Sequence, residues 1–287
     1  MAEMKATRKI GFIDYYLSEW HANNYPAWIR ELDPSFEVAY AWAEVEVSPV
    51  DGVTTDEWCA KFGAARCATI EEVCEKADFL IVLSPDNPER HLDYAKRVFP
   101  CGKPCYMDKT FAPDAKTAKE IFALAERYGV KLFSSSALRF ADELREWQEP
   151  LRSVTVSGAG RLDNYLIHFV EIAVRLMGAD VRSVMALSGG RNTVLAMKYR
   201  DGRVANLCLY DSRHAPGFEV SPESADPAKR LDYIRIGGDF FKRLIAAILS
   251  MFDGAEVPVK SEETVTVIGV MEAARRAAAS PWVEVEV

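Results

Sequence analysis

Long hydrophobic runs are missing from this sequence. The longest apolar stretches, Phe79 to Leu83 and Leu244 to Leu249, fall far short of the ~20 residues a membrane-spanning helix needs. Basic excess is missing too. The chain has 35 Lys and Arg against 43 Asp and Glu, a formal net charge of −8, so nucleic acid is not an expected partner. None of the six cysteines (Cys59, Cys67, Cys74, Cys101, Cys105 and Cys208) forms a CxxC pair, which argues against a zinc ribbon or a redox dithiol. They are expected as reduced, mostly buried thiols, because a chain this long builds a core without disulfide staples. Histidine is scarce: His21, His91, His168 and His214 are the full set. No two have zincin-helix spacing, so no metal site is expected. The first nine residues lack the apolar core of a signal peptide, and the expected location is the cytoplasm.

What is present is ordinary globular composition, 49% hydrophobic and 11% aromatic over 287 residues, enough for two modest domains. In the first half, short apolar runs alternate with helical patterns. Strands are expected at Lys9–Ile13, Phe36–Trp42, Phe79–Leu83, Pro104–Met107 and Lys131–Phe133. Helices are expected at Tyr25–Leu32, Thr54–Phe62, Ile70–Ala77, Asn87–Val98 and Pro113–Tyr128. This alternation predicts a doubly wound parallel sheet. Beyond residue 140 the texture changes. Strand-like runs at Arg152–Ser157, Val181–Ser188, Thr193–Tyr199, Arg203–Tyr210 and Asp232–Ile236 are joined in part by Gly189-Gly190 and Asp201-Gly202. Such turns favour antiparallel hairpins. Helices are expected at Tyr165–Leu176, Phe240–Phe252 and Glu262–Ala278. The expected fold is therefore α/β: a Rossmann-type domain over 1–136, then an α+β domain with an open, mostly antiparallel sheet over 137–287.

Ligands of an open parallel sheet bind beyond the carboxyl ends of its strands. That rule selects Asp14 after the first strand, Ser84, Pro85 and Asp86 after FLIVL, Asp108 and Lys109 after CYM, and Ser134–Ser136 after KLF. Lys109 stands out because a buried strand delivers it and a helix follows. The usual dinucleotide turn, GxGxxG, is absent. The first two glycine positions hold Asp14 and Tyr16, and Ser18 follows in the same turn. Asp14 sets negative charge where a phosphate-binding helix begins, and Tyr16 blocks close backbone approach. The acid expected at the end of the second strand is replaced by Trp42, with Glu44 two residues on. Val154–Gly160 (VTVSGAG) before a helix imitates the fingerprint, but its third glycine is missing and no alternating units follow.

The stretch Ala77–Phe140 resembles the Gfo/Idh/MocA family, named for glucose–fructose oxidoreductase and inositol dehydrogenase. FLIVLSPDNPERH carries the strand ending in proline (Pro85) and the following histidine (His91). GKPCYMDKTF puts Asp108-Lys109-Thr110 in place of a Glu-Lys-Pro motif. KLFSSSALRF matches with Arg139 and Phe140. His21 matches a histidine common just after the family's glycine turn. LDNYLIHFVE matches the DxGxHxxD-like helix, with His168 on its histidine, Glu171 on its trailing acid, and Asn164 beside Asp163 on its first Asp. The likeness extends over nearly the whole chain.

The resemblance implies NAD- or NADP-dependent oxidation or reduction of a sugar, polyol or related compound. It implies that Lys109 hydrogen-bonds the reacting oxygen, that His168 takes the hydroxyl proton, and that Asp163 or Asn164 orients the substrate. Arg139, Tyr165 and His214 become substrate-pocket candidates. The dinucleotide would lie against Asp14, Tyr15, Tyr16, Ser18, Ser84, Pro85, Asn87, His91 and Asp108. The expected partners are a small-molecule substrate and further copies of the chain. Because the glycine turn is lost, two other readings stay open: a cofactor-free sugar-binding or regulatory protein, and a non-redox enzyme on the same fold.

Overall fold

The computed structural model describes residues 7–145, 147–189, 191–212 and 217–287; His214 lies outside them. The chain divides into two compact units. The first combines residues up to Ala112 with Lys116–Ser134 and Leu244–Lys260. The second holds Pro113–Ala115, Ser135–Arg243 and Ser261–Val287.

The first unit is a six-stranded parallel sheet of β1 (Arg8–Asp14), β2 (Phe36–Ala43), β3 (Ala65–Arg66), β4 (Phe79–Val82), β5 (Cys105–Met107) and β6 (Leu132–Phe133). Its spatial order is β3-β2-β1-β4-β5-β6. The order reverses between β1 and β4, and crevices at such switch points are where doubly wound sheets bind ligands. Helices α1 (Trp20–Leu32), α2 (Thr55–Phe62), α3 (Ile70–Lys76), α4 (His91–Val98) and α5 (Ala115–Arg127) alternate with the strands. Continuous burial from Ile10 through Asp14 and from Leu80 through Val82 explains why these strands read as unbroken apolar runs. Gly11 lets α3 close on β1, since a Cβ there would stand 2.3 Å from Val73 Cγ1. The last part of α8 (Phe240–Phe252) belongs to this unit, where Phe252 stacks on Phe79 with ring centroids 4.7 Å apart.

Helix α1 starts five residues before its expected beginning. Pro26 lies inside the helix, and Glu19 supplies the N-cap.

The second unit is a seven-stranded mixed sheet, formed by β7 (Leu151–Ala159), β8 (Val181–Gly189), β9 (Asn192–Tyr199), β10 (Val204–Tyr210), β11 (Glu219–Ser224), β12 (Ile234–Arg235) and β13 (Val285–Glu286). Its order is β12-β11-β7-β10-β9-β8-β13. Only the β7–β10 pair among these is parallel. Helices α7 (Leu166–Met177) and α9 (Ser261–Ala279) pack on one another and on this sheet; α6 (Asp142–Arg145) is a single turn. Alternating burial along β7 and β10 leaves one face covered and the other partly open. The glycine decoy is thus the end of β7 in a mixed sheet, not a dinucleotide-binding turn. Strand β11 escapes the sequence pattern because Pro222 and two glutamates sit in it. Among the described residues no helix is long and apolar enough to cross a membrane.

Candidate active site

At the carboxyl rim of the first sheet, Asp14 ties the ends of β1 and β4 together. Its Oδ1 accepts hydrogen bonds from Tyr15 N at 2.7 Å, Ser84 N at 2.9 Å and Ser84 Oγ at 3.1 Å. Tyr15 N also donates to Ser84 Oγ, at 2.8 Å. Asp14 Oδ2 is buried without a hydrogen-bond partner. Burial and the neighbouring Glu19 charge push the Asp14 carboxyl well above its ordinary pKa, against the pull of those three donors. Ser84 holds a positive φ of 61°, so the turn after β4 is bent sharply toward β1.

Glu19 is the unexpected residue. Its carboxylate caps α1, accepting from His21 N at 2.8 Å and from Ala22 N. The same Oε2 stands 3.1 Å from His21 Nδ1. On the other side, His21 Nδ1 lies 3.5 Å from Asp108 Oδ2. Burial works to lower the His21 pKa, but Asp108 and Glu19 outweigh it and hold it above its ordinary value. His21 is therefore a cation-favouring bridge between two buried carboxylates. Tyr106 donates to Asp108 Oδ1 at 2.8 Å. The adjacent Lys109 is half-buried. The turn is further pinned by Ser18 Oγ, which donates to Asp51 at 2.7 Å.

Two expected cofactor contacts have partners within the chain. Both ring nitrogens of His91 face backbone carbonyls, Leu83 O at 2.7 Å and Phe111 O at 3.0 Å, and the residue is wholly buried. Burial lowers its pKa despite those two contacts. His91 ties the post-β4 loop to the segment after Lys109 and offers a ligand no surface. Asn87 closes the turn after β4, its N–H donating to Ser84 O at 3.1 Å. Pro85 is buried and Tyr16 half-buried in the same rim. Glu44, just beyond β2, accepts from Arg90 Nε at 2.9 Å and Tyr94 Oη at 2.7 Å.

In the second unit, His168 lies on the first turn of α7. Its Nδ1 is 2.7 Å from Ser136 Oγ. Ser136 itself caps the short turn Ala137–Phe140, where Leu138 N donates to its Oγ at 3.3 Å. Its backbone N–H donates to Glu171 Oε1 at 3.3 Å. Glu171, one helical turn beyond His168, is buried against Arg139 at 3.4 Å, and Arg139 also pairs with Glu263. Burial raises the Glu171 pKa, with Arg139 opposing it. Arg139 was expected at the substrate. Only 7% exposed, it is committed to these two carboxylates and fixes the base of α7 instead.

Asn164 and Tyr165 are exposed ahead of α7. The Tyr165 ring meets His168 edge-on with centroids 5.4 Å apart. Gly160 makes room for it, because a Cβ there would stand 2.5 Å from Tyr165 Cβ. Asp163 pairs with Arg161 at 3.3 Å. Both line a cavity of about 520 Å³ together with Arg191, Asp211 and Arg275. Sequence reading brought out Lys109, His168 and Asp14. It missed Glu19, the contact of Ser136 with His168 and the pairing of Arg139 with Glu171. An acid directly before the start of a helix was the one available signal for Glu19.

Comparison with known proteins gives the fold its place. No family model matches the chain. A 71-residue segment is 34% identical to the uncharacterized oxidoreductase YhhX of Escherichia coli (strain K12), covering 25% of this chain and 21% of that protein. The match thus spans about a fifth of that relative's length. Solved structures match end to end. GenD2 from gentamicin A biosynthesis, in complex with NAD, superposes with a TM-score of 0.77 at 17% identity over 100% of this chain and 98% of GenD2. The UDP-N-acetylglucosamine 3-dehydrogenase GnnA from Acidithiobacillus ferrooxidans gives 0.77 at 14% identity over 94% and 97%. The chain has the fold of the Gfo/Idh/MocA-type oxidoreductases.

Proposed function

We propose that this protein is an NAD- or NADP-dependent oxidoreductase acting on a sugar, polyol or related compound. The observation that carries the reading is the end-to-end fold match to GenD2, in complex with NAD, and to the UDP-N-acetylglucosamine 3-dehydrogenase GnnA. Two residues supply the proton chemistry. Lys109 hydrogen-bonds the reacting oxygen, and His168 accepts the hydroxyl proton at Nε2 while Ser136 fixes the ring through Nδ1. Asp163, Asn164 and Tyr165, at the start of α7, are the substrate-facing candidates. The partly open face of the second sheet, where Leu187 is 40% and Val194 42% exposed, suits self-association, and sedimentation velocity tests that part.

The rim fits a dinucleotide at the switch point of the sheet, but the first turn does not fit a pyrophosphate. The α1 amides that would face it are taken by Glu19, and Asp14 and Tyr16 stand where glycine would leave room. This misfit favours a second reading, a cofactor-free sugar-binding or regulatory protein that keeps the substrate pocket.

Calorimetric titration with NAD⁺, NADH, NADP⁺ and NADPH separates the two, after a check for copurified nucleotide. Binding of any one supports the oxidoreductase. Absence of both binding and retained nucleotide would leave the second reading.

A further inference from the structure

We infer that Glu19 is an internal occupant of the phosphate seat, and that it sets how weakly this chain holds a dinucleotide. The inference rests on the dinucleotide reading above and concerns the turn after β1.

A helix N-terminus attracts anions because its first N–H groups have no intrahelical partner. In α1 two of those groups are already taken by the chain's own side chain. His21 N and Ala22 N donate to the Glu19 carboxylate, and Glu19 N donates to Leu17 O at 2.8 Å. The Glu19 side chain is buried, 7% exposed, so it is seated in the turn rather than swinging in solvent. His21 holds it from behind and is itself anchored by Asp108. A pyrophosphate arriving here meets an existing negative charge, with Asp14 beside it, and finds the His21 and Ala22 amides engaged.

A second observation, independent of the turn, points the same way. The acid that follows β2 in dinucleotide-binding sheets grips the adenosine ribose. Here Glu44 follows β2, and its carboxylate is held by the Arg90 guanidinium and the Tyr94 hydroxyl. At both places where a dinucleotide makes contact, the chain's own side chains are thus already engaged. Binding requires Glu19 to leave the helix end. Removing its charge removes a like-charge juxtaposition of the kind that costs several kcal/mol at interfaces.

The test uses the full chain, stripped of any copurified nucleotide, and three ligands: NADH, ADP-ribose and adenosine. Wild type, Glu19→Gln and Glu19→Ser are titrated at pH 7.5 by calorimetry. The serine variant keeps a neutral N-cap should the glutamine variant fail to fold. Expected are affinities for NADH and ADP-ribose about tenfold or more above wild type in both variants, with adenosine unchanged. Two results overturn the inference while leaving the dinucleotide reading intact: equal NADH affinity in all three proteins, or nucleotide retained stoichiometrically by wild type. If no dinucleotide binds to any of the three, the inference and the dinucleotide reading both fail.

Discussion

Arg139→Met probes the support beneath His168. Arg139 and Glu171 are 7% and 2% exposed at the side chain, so the substitution strands a carboxylate in the interior. Breaking a buried pair from one side costs about 3–5 kcal/mol. The lower end applies here, because Ser136 N and Ser135 Oγ still donate to Glu171, each at 3.3 Å. The loss must depend on pH, and its sign is fixed. Burial already raises the Glu171 pKa above 4.5, and Arg139 opposes that rise. A carboxyl raised in the folded state contributes stability that is full below its unfolded pKa and lost as pH rises through the folded one. Removing Arg139 raises the folded value further. The penalty of Arg139→Met is therefore small near pH 4.5 and grows toward pH 8. Adding Glu171→Gln removes the stranded charge and recovers most of the loss, leaving about 1–2 kcal/mol from the missing contacts. Two compact units make a global unfolding signal ambiguous. Hydrogen exchange of the peptides over 135–141 and 166–177, in urea at pH 5 and pH 8, reads the right region. A penalty under about 1 kcal/mol at pH 8, or one equal at both pH values, would refute the reasoning, since the cost of a stranded buried charge and proton linkage both demand otherwise.

Other expectations follow from the same geometry. Lys109→Ala and His168→Ala each reduce kcat/KM by about 10²–10⁴ with the fold intact by circular dichroism; normal turnover in either removes that residue from the chemistry. Ser136→Ala, which loses the 2.7 Å contact to His168 Nδ1, lowers kcat by about tenfold and displaces its pH profile with little change in KM; an unmoved profile would mean that Ser136 serves only as a cap. Asp14→Asn keeps an acceptor for Tyr15 and Ser84 while removing a carboxyl whose pKa is raised by burial. The native acid loses stability as pH rises through its raised pKa, so the variant is stabilised relative to wild type more at pH 8 than near pH 3.8. Equal gains at both pH values would show that Asp14 does not titrate as its burial requires.

The parts of this protein that were legible in the sequence are those governed by repetition. Alternating apolar runs and helical spacing exposed β1, β4, β5 and α5, because strands buried on both faces leave no other pattern. The rim residues followed from those strand ends, which is why Asp14, Ser84, Asp108 and Lys109 could be picked before any contact was seen. The edge elements were not legible: β3 has two residues, and β11 carries Pro222. Side-chain partners were less legible still. Arg139 looked like a substrate ligand because nothing in its neighbourhood reveals that Glu171 and Glu263, 32 and 124 residues away, converge on it.

The first turn shows why such partners matter more than motifs. Losing the glycines of GxGxxG at Asp14 and Tyr16 says only that a phosphate is poorly cradled, and that loss is compatible with a remodelled cradle offering other donors. The hydrogen bonds from His21 N and Ala22 N to Glu19 say something stronger. They show the helix end completed by a carboxylate of the chain itself, which carries the charge sign a phosphate would bring. A turn that had merely lost its glycines would leave those amides for solvent or ligand. One that has filled them folds stably without a ligand, and any dinucleotide it accepts must compete with its own side chain.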